Sequence, residues 1–179
     1  IAPFAPESYR DRMLIFRYAG FQYKTNENWQ SNGPVSYKTA KACFKEMAAP
    51  EAVTITSSFS ETMLAAKPAG EKVSCSVLQV DDDFWKVFQF DFLSGYPFDK
   101  ATFDAGATKA VITEDIARQL FGTTDVVGKT FLLNHSAYMI CGVVRPVSKL
   151  ARYAYAQIWI PLSSTDAFTA SWGEYGIMG

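Results

Sequence analysis

Between Ala110 and Val144 the spacing of apolar residues changes period several times. Ala110–Ile112 is an unbroken apolar triplet, the pattern of a short buried strand. Ile116, Ala117, Leu120 and Phe121 then recur on one helical face. Thr113 ahead of them predicts an N-cap whose hydroxyl accepts from a free backbone N–H, and Glu114 and Asp115 place negative charge at the positive end of the helix dipole. Gly122 predicts the left-handed residue that ends the helix. Gly128-Lys129 marks a turn, Thr130–Leu133 and Ala137–Val144 read as strands, and Asn134–Ser136 is the polar turn between them. Met139, Cys141 and Val143 share one face of the last strand, and Tyr138, Ile140 and Val144 the other. A strand apolar on both faces is expected to be covered on both sides.

The same reading extends outward from this centre. Ile1–Glu7 holds two prolines and reads as an extended lead-in, followed by a strand over Asp11–Ala19. Gly20–Pro34 is so polar that it predicts a loop, long enough to be functional. Tyr37, Ala40, Phe44 and Met47 predict a helix over Ser36–Ala49, closed by Pro50. Val53–Phe59 alternates as a strand, which completes a split βαβ-like unit. Ser60–Ala66 and Lys72–Val80 predict a hairpin around Lys67–Glu71. Asp81–Phe88 reads as a short helix with Phe84, Val87 and Phe88 inward. Phe90–Phe98 reads as irregular, and Phe98–Gly106 as a surface loop. Beyond the break at Arg145-Pro146, Tyr155–Ile160 reads as a strand. Ser163 then caps a helix running from Ser164 to about Ser171, and Trp172–Gly179 shows no strong element.

Composition narrows the class. In 179 residues, 49% hydrophobic and 20% charged, there is enough apolar surface to fold around a core. A net charge of −1 argues against a nucleic-acid binder, which needs a basic face. No apolar run approaches the length of a membrane helix, and no basic, Met-led signal peptide opens the chain. The expectation is a fragment cut from a larger protein. Cys43, Cys75 and Cys141 are odd in number and far apart, so three buried free thiols are expected rather than a disulfide framework.

Each stretch with chemical potential has a plainer explanation. Asp81-Asp82-Asp83 is the one acidic cluster, but three consecutive side chains diverge, and a helix N-cap accounts for them better than a metal site. His135 is the single histidine, with no nucleophile pattern around it, and reads as an exposed turn residue. Gly122 and Gly128-Lys129-Thr130 miss the phosphate-loop spacing by one residue and precede a strand instead of a helix. Asn134-His135-Ser136 is an N-x-S sequon, read as chance. Lys149, Arg152, Tyr153 and Tyr155 form a basic, aromatic loop, read as solvated. Trp29, Trp172 and Tyr175 suit either core or interface. No catalytic, cofactor-binding or metal-ligating residues are expected.

One ordered set of pieces goes further. Val80–Trp85, Phe92–Gly95, Val111–Glu114, Ala117, Leu120–Gly122, Gly128-Lys129 and Tyr138–Val143 together resemble the periplasmic core domain of MacB-type ABC transporter permeases, across about a third of the chain. The resemblance implies an α+β, mixed-sheet domain of two subdomains: a split βαβ, porter-like part from 1–60 with 146–179, and an inserted α/β part, 61–145. It implies a non-catalytic, extracytoplasmic domain of a bacterial inner-membrane permease that passes ATP-driven helix motion to the export of a drug, peptide or lipoprotein. Implied partners are transmembrane helices of the same chain, a cytoplasmic ATPase, a second permease copy and a periplasmic adaptor, with no nucleic acid and no cofactor. The alternative is a free periplasmic or surface module for a peptide or lipid, suggested by the long loop and the many aromatics.

Overall fold

The computed structural model describes residues 5–16, 19–23, 26–58, 60–68, 70–169 and 175–178, with 21–23, 26–31, 167 and 175–178 as backbone alone. In chain order its elements are β1 (Ile15–Phe16), β2 (Ala19–Tyr23), β3 (Asn26–Gly33), α1 (Tyr37–Ala40), β4 (Thr54–Ser57), β5 (Glu61–Ala66), β6 (Lys72–Val80) and α2 (Phe84–Val87). They continue as β7 (Phe92–Gly95), α3 (Lys100–Asp104), β8 (Lys109–Thr113), α4 (Glu114–Phe121), β9 (Thr130–Leu133), β10 (Ser136–Val144), β11 (Ile158–Pro161) and β12 (Tyr175–Met178). The fold is α+β on a mixed sheet ordered β1-β12-β4-β6-β11-β8-β10-β9-β5, with β7 added against β10. Because β5 pairs with both β9 and β6, the six strands β6, β11, β8, β10, β9 and β5 form a closed circuit. Closure removes the exposed edges that an open sheet of this size would carry. Strands β2 and β3 form a separate ribbon. Among the described residues, no helix is long and apolar enough to cross a membrane.

Period-two alternation divides the side chains of the circuit between two cores. Ala110 and Ile112 of β8 and Ile158 and Ile160 of β11 join the cluster around α4, where Ile116, Ala117 and Leu120 are buried. Val111 and Trp159, the intervening residues, join a second, aromatic cluster with Phe84, Phe88 and Phe98. Trp159 is fully buried and donates its indole N–H to the Ala154 carbonyl at 3.1 Å. A third cluster joins α1 and β4 through Tyr37 and Ile55 to Phe103 and Leu162.

The central stretch forms the elements its periodicity predicts, with three departures in detail. Gly122 takes φ of +73° at the end of α4, and Asn134 and His135 take φ of +45° and +76° at the β9–β10 turn. Thr113 does occupy the N-cap position, but its hydroxyl makes no capping bond. Coverage of β10 on both faces holds for Val143 and Val144, whereas Met139 is exposed. The expected faces are also corrected: an irregularity between Ile140 and Gly142 puts Val143 in one core with Tyr138 and Ile140, and Val144 in the other with Cys141.

Elsewhere several expectations are corrected. Within 20–34 the expectation of a loop is corrected: Ala19–Tyr23 and Asn26–Gly33 pair as an antiparallel β-ribbon, whose ladder is made by backbone N–H and C=O groups and so needs no apolar pattern in the sequence. The first strand shrinks to Ile15–Phe16, preceded by a 3₁₀ turn at Arg10–Arg12; residues 17 and 18 lie outside the described residues. The helix capped by Ser36 runs only to Ala40 before Lys41–Lys45 opens into a wider π-type turn. Within 90–98, Phe92–Gly95 is a strand, since two glycines let it lie close to β10. A Cβ at Gly95 would overlap the Cys141 carbonyl, and one at Gly142 would sit 2.7 Å from the Phe92 ring. The supposed surface loop 98–106 contains α3, capped by Asp99, which accepts from the Thr102 N–H at 2.8 Å, with Phe98 and Phe103 buried. The helix expected from Ser164 is instead two 3₁₀ turns, Leu162–Ser164 and Asp166–Thr169. The tail does supply a further strand, β12, which inserts between β1 and β4.

Candidate functional site

Two features concentrate chemistry outside the closed circuit. The first begins where β6 ends. Val80 pairs with Thr56 of β4, and the next residue, Asp81, is fully buried. Its carboxylate accepts from the Thr54 hydroxyl at 2.6 Å and from the Ile55 backbone N–H at 3.0 Å. The wide turn after α1 brings Lys45 Nζ to 2.7 Å from Asp81 and 2.5 Å from Asp83, and Asp83 reaches on to Lys86 at 2.6 Å. A buried carboxylate is costly unless it is paired and hydrogen-bonded, and both conditions are met here.

Burial pushes the Asp81 carboxyl up to about 6, although Lys45, Thr54 and the Ile55 N–H pull the other way. Burial also works against the Lys45 charge, yet the charge of Asp81 and the hydrogen bonds to Asp81 and Asp83 outweigh it and move Lys45 upward. Asp83 is likewise penalised by burial but ends below the ordinary carboxylate range through Lys45 and Lys86. Tyr37 is driven up by burial and then by the charges of Asp81, Asp82, Asp104 and Asp83. With no exposed surface and each partner spoken for, Asp81 ties the α1 turn to β4 and β6 rather than meeting a reactant.

The second feature is an open, mainly apolar groove of about 700 Å³ built by three segments, residues 9–16, 44–53 and Lys86–Val87 of α2. Phe16 and Phe44 meet in it with ring centres 5.0 Å apart. Leu14 is 66% exposed and Phe16 43%, with Tyr9, Ile15 and Met47 also exposed. Charge is confined to Arg12, Glu51 and Lys86. Arg12 lies over the Tyr9 ring at 4.8 Å and reaches Glu51 at 3.8 Å. Grooves of this volume are typical of small-molecule and peptide sites.

The structure separates most of the other candidates. Asp81, Asp82 and Asp83 are not simply a cap: Asp83 takes the N-cap position of α2 without a capping bond, and Asp81 is the buried member described above. His135 is exposed at the hairpin tip. Beside it the Asn134 side chain accepts from the Leu64 N–H at 3.0 Å, which pins the tip to β5. Gly128 makes its turn at φ of +84°, and a strand follows Lys129. Lys149 and Arg152 are exposed, while Tyr153 packs against the aromatic core. Trp172 and the side chains of Trp29 and Tyr175 lie outside the described residues. Cys75 is buried and Cys141 partly so, each thiol pushed up to about 11 by burial, whereas Cys43 is exposed and corrects the expectation of three buried thiols. Among the described residues, no three metal-ligating side chains converge. Both the Asp81–Lys45 link and the groove escape a reading of sequence, because their parts come from segments far apart in the chain.

Residues 5–178 match the description of the MacB-like periplasmic core domain. This chain belongs to that family. It is a periplasmic core domain of the MacB-like kind, an extracytoplasmic domain. The uncharacterized ABC transporter permease YknZ of Bacillus subtilis (strain 168) is 26% identical over 109 residues, covering 61% of this chain and 27% of the relative. The chain thus corresponds to little more than a quarter of that permease. Its fold is shared with the extracellular domain of YknZ from Gram-positive bacteria (TM-score 0.70, 15% identity, 94% of this chain and 83% of the other). It is also shared with the periplasmic region of MacB from Actinobacillus actinomycetemcomitans (TM-score 0.68, 15% identity, 93% and 72%).

Proposed function

We propose that this MacB-like domain is a non-catalytic lever, moved from its two ends by membrane helices that respond to a cytoplasmic ATPase. The single observation that carries the reading is the pairing of β1 with β12. Ile15 lies opposite Met178 and Phe16 opposite Ile177, so the chain enters β1 and leaves β12 at the same end of the sheet. Two connections leaving together can reach one bilayer. The closed circuit of strands adds the stiffness a lever needs, since a close-packed body moves as a unit instead of deforming. The enclosure of Asp81 and its partners supports a structural role over an enzymatic one.

In this reading the permease works as two copies, with a periplasmic adaptor and an exported drug, peptide or lipoprotein as partners. The division into a porter-like part, 1–60 with 146–179, and an inserted part, 61–145, belongs to the same proposal. Strands β1, β12 and β4 from the outer segments stand together at one end of the sheet, while β11 runs between β6 and β8 of the middle segment. The groove favours a second reading, a free peptide- or lipid-binding module, which a cleavable signal sequence upstream of Ile1 in place of a membrane helix would support.

The lever is tested in the full-length permease by inserting flexible Gly/Ser segments at both junctions of the domain. The account expects ATP hydrolysis to continue while transport is lost. Transport at the original rate with slack connections would contradict it.

A further inference from the structure

We infer that the apolar groove is a membrane-contact site that seats phospholipid from the bilayer to which the domain is attached. This inference rests on the lever reading and adds to it a surface that touches lipid. Its first support is position. The groove is lined by Leu14 and Phe16, on either side of Ile15, which stands opposite Met178 where β12 leaves the sheet. At the other end of the same segment, the Pro6 carbonyl accepts from the Gln89 N–H at 2.9 Å, two residues beyond Val87 of the groove. The earliest and the latest described parts of the chain are therefore both held beside the groove, so ends that continue into membrane helices bring it to the bilayer.

The second support is chemistry. Leu14, Phe16, Tyr9 and Met47 expose apolar and aromatic surface together, whereas the comparably exposed Leu64 and Val127 belong to other parts of the fold. Contiguous apolar exposure marks a contact surface, and scattered exposure does not. Tyr, with an apolar ring and a polar tip, suits the depth of lipid headgroups, and Arg12 and Lys86 at the groove offer cations to headgroup phosphates. Both cations are largely exposed, and their acidic neighbours Glu51 and Asp83 leave the groove near neutrality. Apolar insertion thus supplies the affinity, and the phosphate contacts set orientation.

The test uses the full-length permease in vesicles of phosphatidylglycerol and phosphatidylethanolamine, in a Cys43→Ser background so that the exposed thiol is removed. An environment-sensitive nitrobenzoxadiazole dye is placed at Leu14→Cys, Met47→Cys or Leu64→Cys, and nitroxide-bearing phospholipids serve as quenchers. The expected result is a blue-shifted, strongly quenched dye at positions 14 and 47 and a water-like, weakly quenched dye at position 64. In flotation of the 179-residue chain with the same vesicles, Leu14→Asp lowers partitioning roughly tenfold, the effect of returning one Leu side chain to water, and Leu64→Asp does not. Equal, weak quenching at all three positions overturns the inference while leaving the lever intact. Failure of the protein to reconstitute because it has no membrane spans overturns the lever itself. Quenching by a second, dye-acceptor-labelled copy in place of lipid would make the groove an interface between copies and also overturn the inference.

Discussion

The closed circuit around α4 and the groove beside β1 are built from similar residues and put them to opposite use. In the circuit, Ile112, Phe131, Ile140, Ile158 and Trp159 are removed from water altogether. Around the groove, Leu14, Phe16 and Met47 keep much of their surface in solvent. The first arrangement gives a close-packed body of the kind the proposed lever needs. The second leaves apolar area open for something else to cover. The difference teaches that similar apolar residues fill a closed core at the centre and stay open to solvent at the edge where the chain enters and leaves the sheet; in the proposed reading the first serves stiffness and the second contact.

The largest expected effect sharpens that contrast. Trp159→Ala removes the biggest fully buried side chain among the described residues and should cost about 4 kcal/mol of unfolding free energy. Urea denaturation of the 179-residue chain measures it. Leu14→Ala, at the groove, should stay within about 0.5 kcal/mol of the parent in the same experiment. Comparable losses at both sites would break the comparison.

Next in size is Asp81→Ala, which leaves Lys45 with Asp83 as its one remaining carboxylate and the Thr54 hydroxyl and Ile55 N–H without theirs. A loss of roughly 3 kcal/mol is expected, as when one partner of a buried pair is deleted. The pH dependence follows from the raised carboxyl. Asp81 is held at about 6 against an ordinary 3.8, so the folded chain binds this proton more tightly than the unfolded one. Its contribution is complete below the ordinary value and falls as pH rises through about 6, by up to ~3 kcal/mol. Asp83, held low, has the reverse sign: its contribution is present above the ordinary carboxylate range and lost on acidification. Subtracting the stability curve of Asp81→Asn from that of the parent between pH 3 and 8 isolates the first effect, and a flat difference would refute it.

How far these features were legible in sequence follows the range of the interactions that make them. Strand β8, helix α4 and the β9–β10 hairpin rest on local spacing, on Gly122 and on Asn134, so pattern alone locates them. The ribbon β2–β3 is invisible because its pairing is backbone to backbone, in a stretch whose sequence lacks apolar alternation. Strand β7 exists because Gly95 and Gly142, far apart in the chain, allow two backbones to approach. The central acid of the Asp81–Lys45 link was visible as one of three aspartates, but the lysine that decides its role arrives from the turn after α1. Local order could be read, and contact between distant segments could not.

The smallest expected effect concerns the thiols. A disulfide reagent at neutral pH should label Cys43 in the native chain and reach Cys75 and Cys141 only after denaturation, because burial both shields these two and keeps them protonated. Thiol titration against time gives the answer, and three equally fast thiols would show that the circuit opens readily.

Rigid transmission is tested most directly by distances between spin labels in the full-length permease, with Cys43 replaced by Ser. Labels at Leu64 and Met47 report on the inside of the domain, and labels at Leu64 of two permease copies report on its movement. The account predicts an internal distance that stays the same with and without ATP, and a distance between copies that changes. An internal distance that shifts with ATP while the copies keep their separation would contradict it.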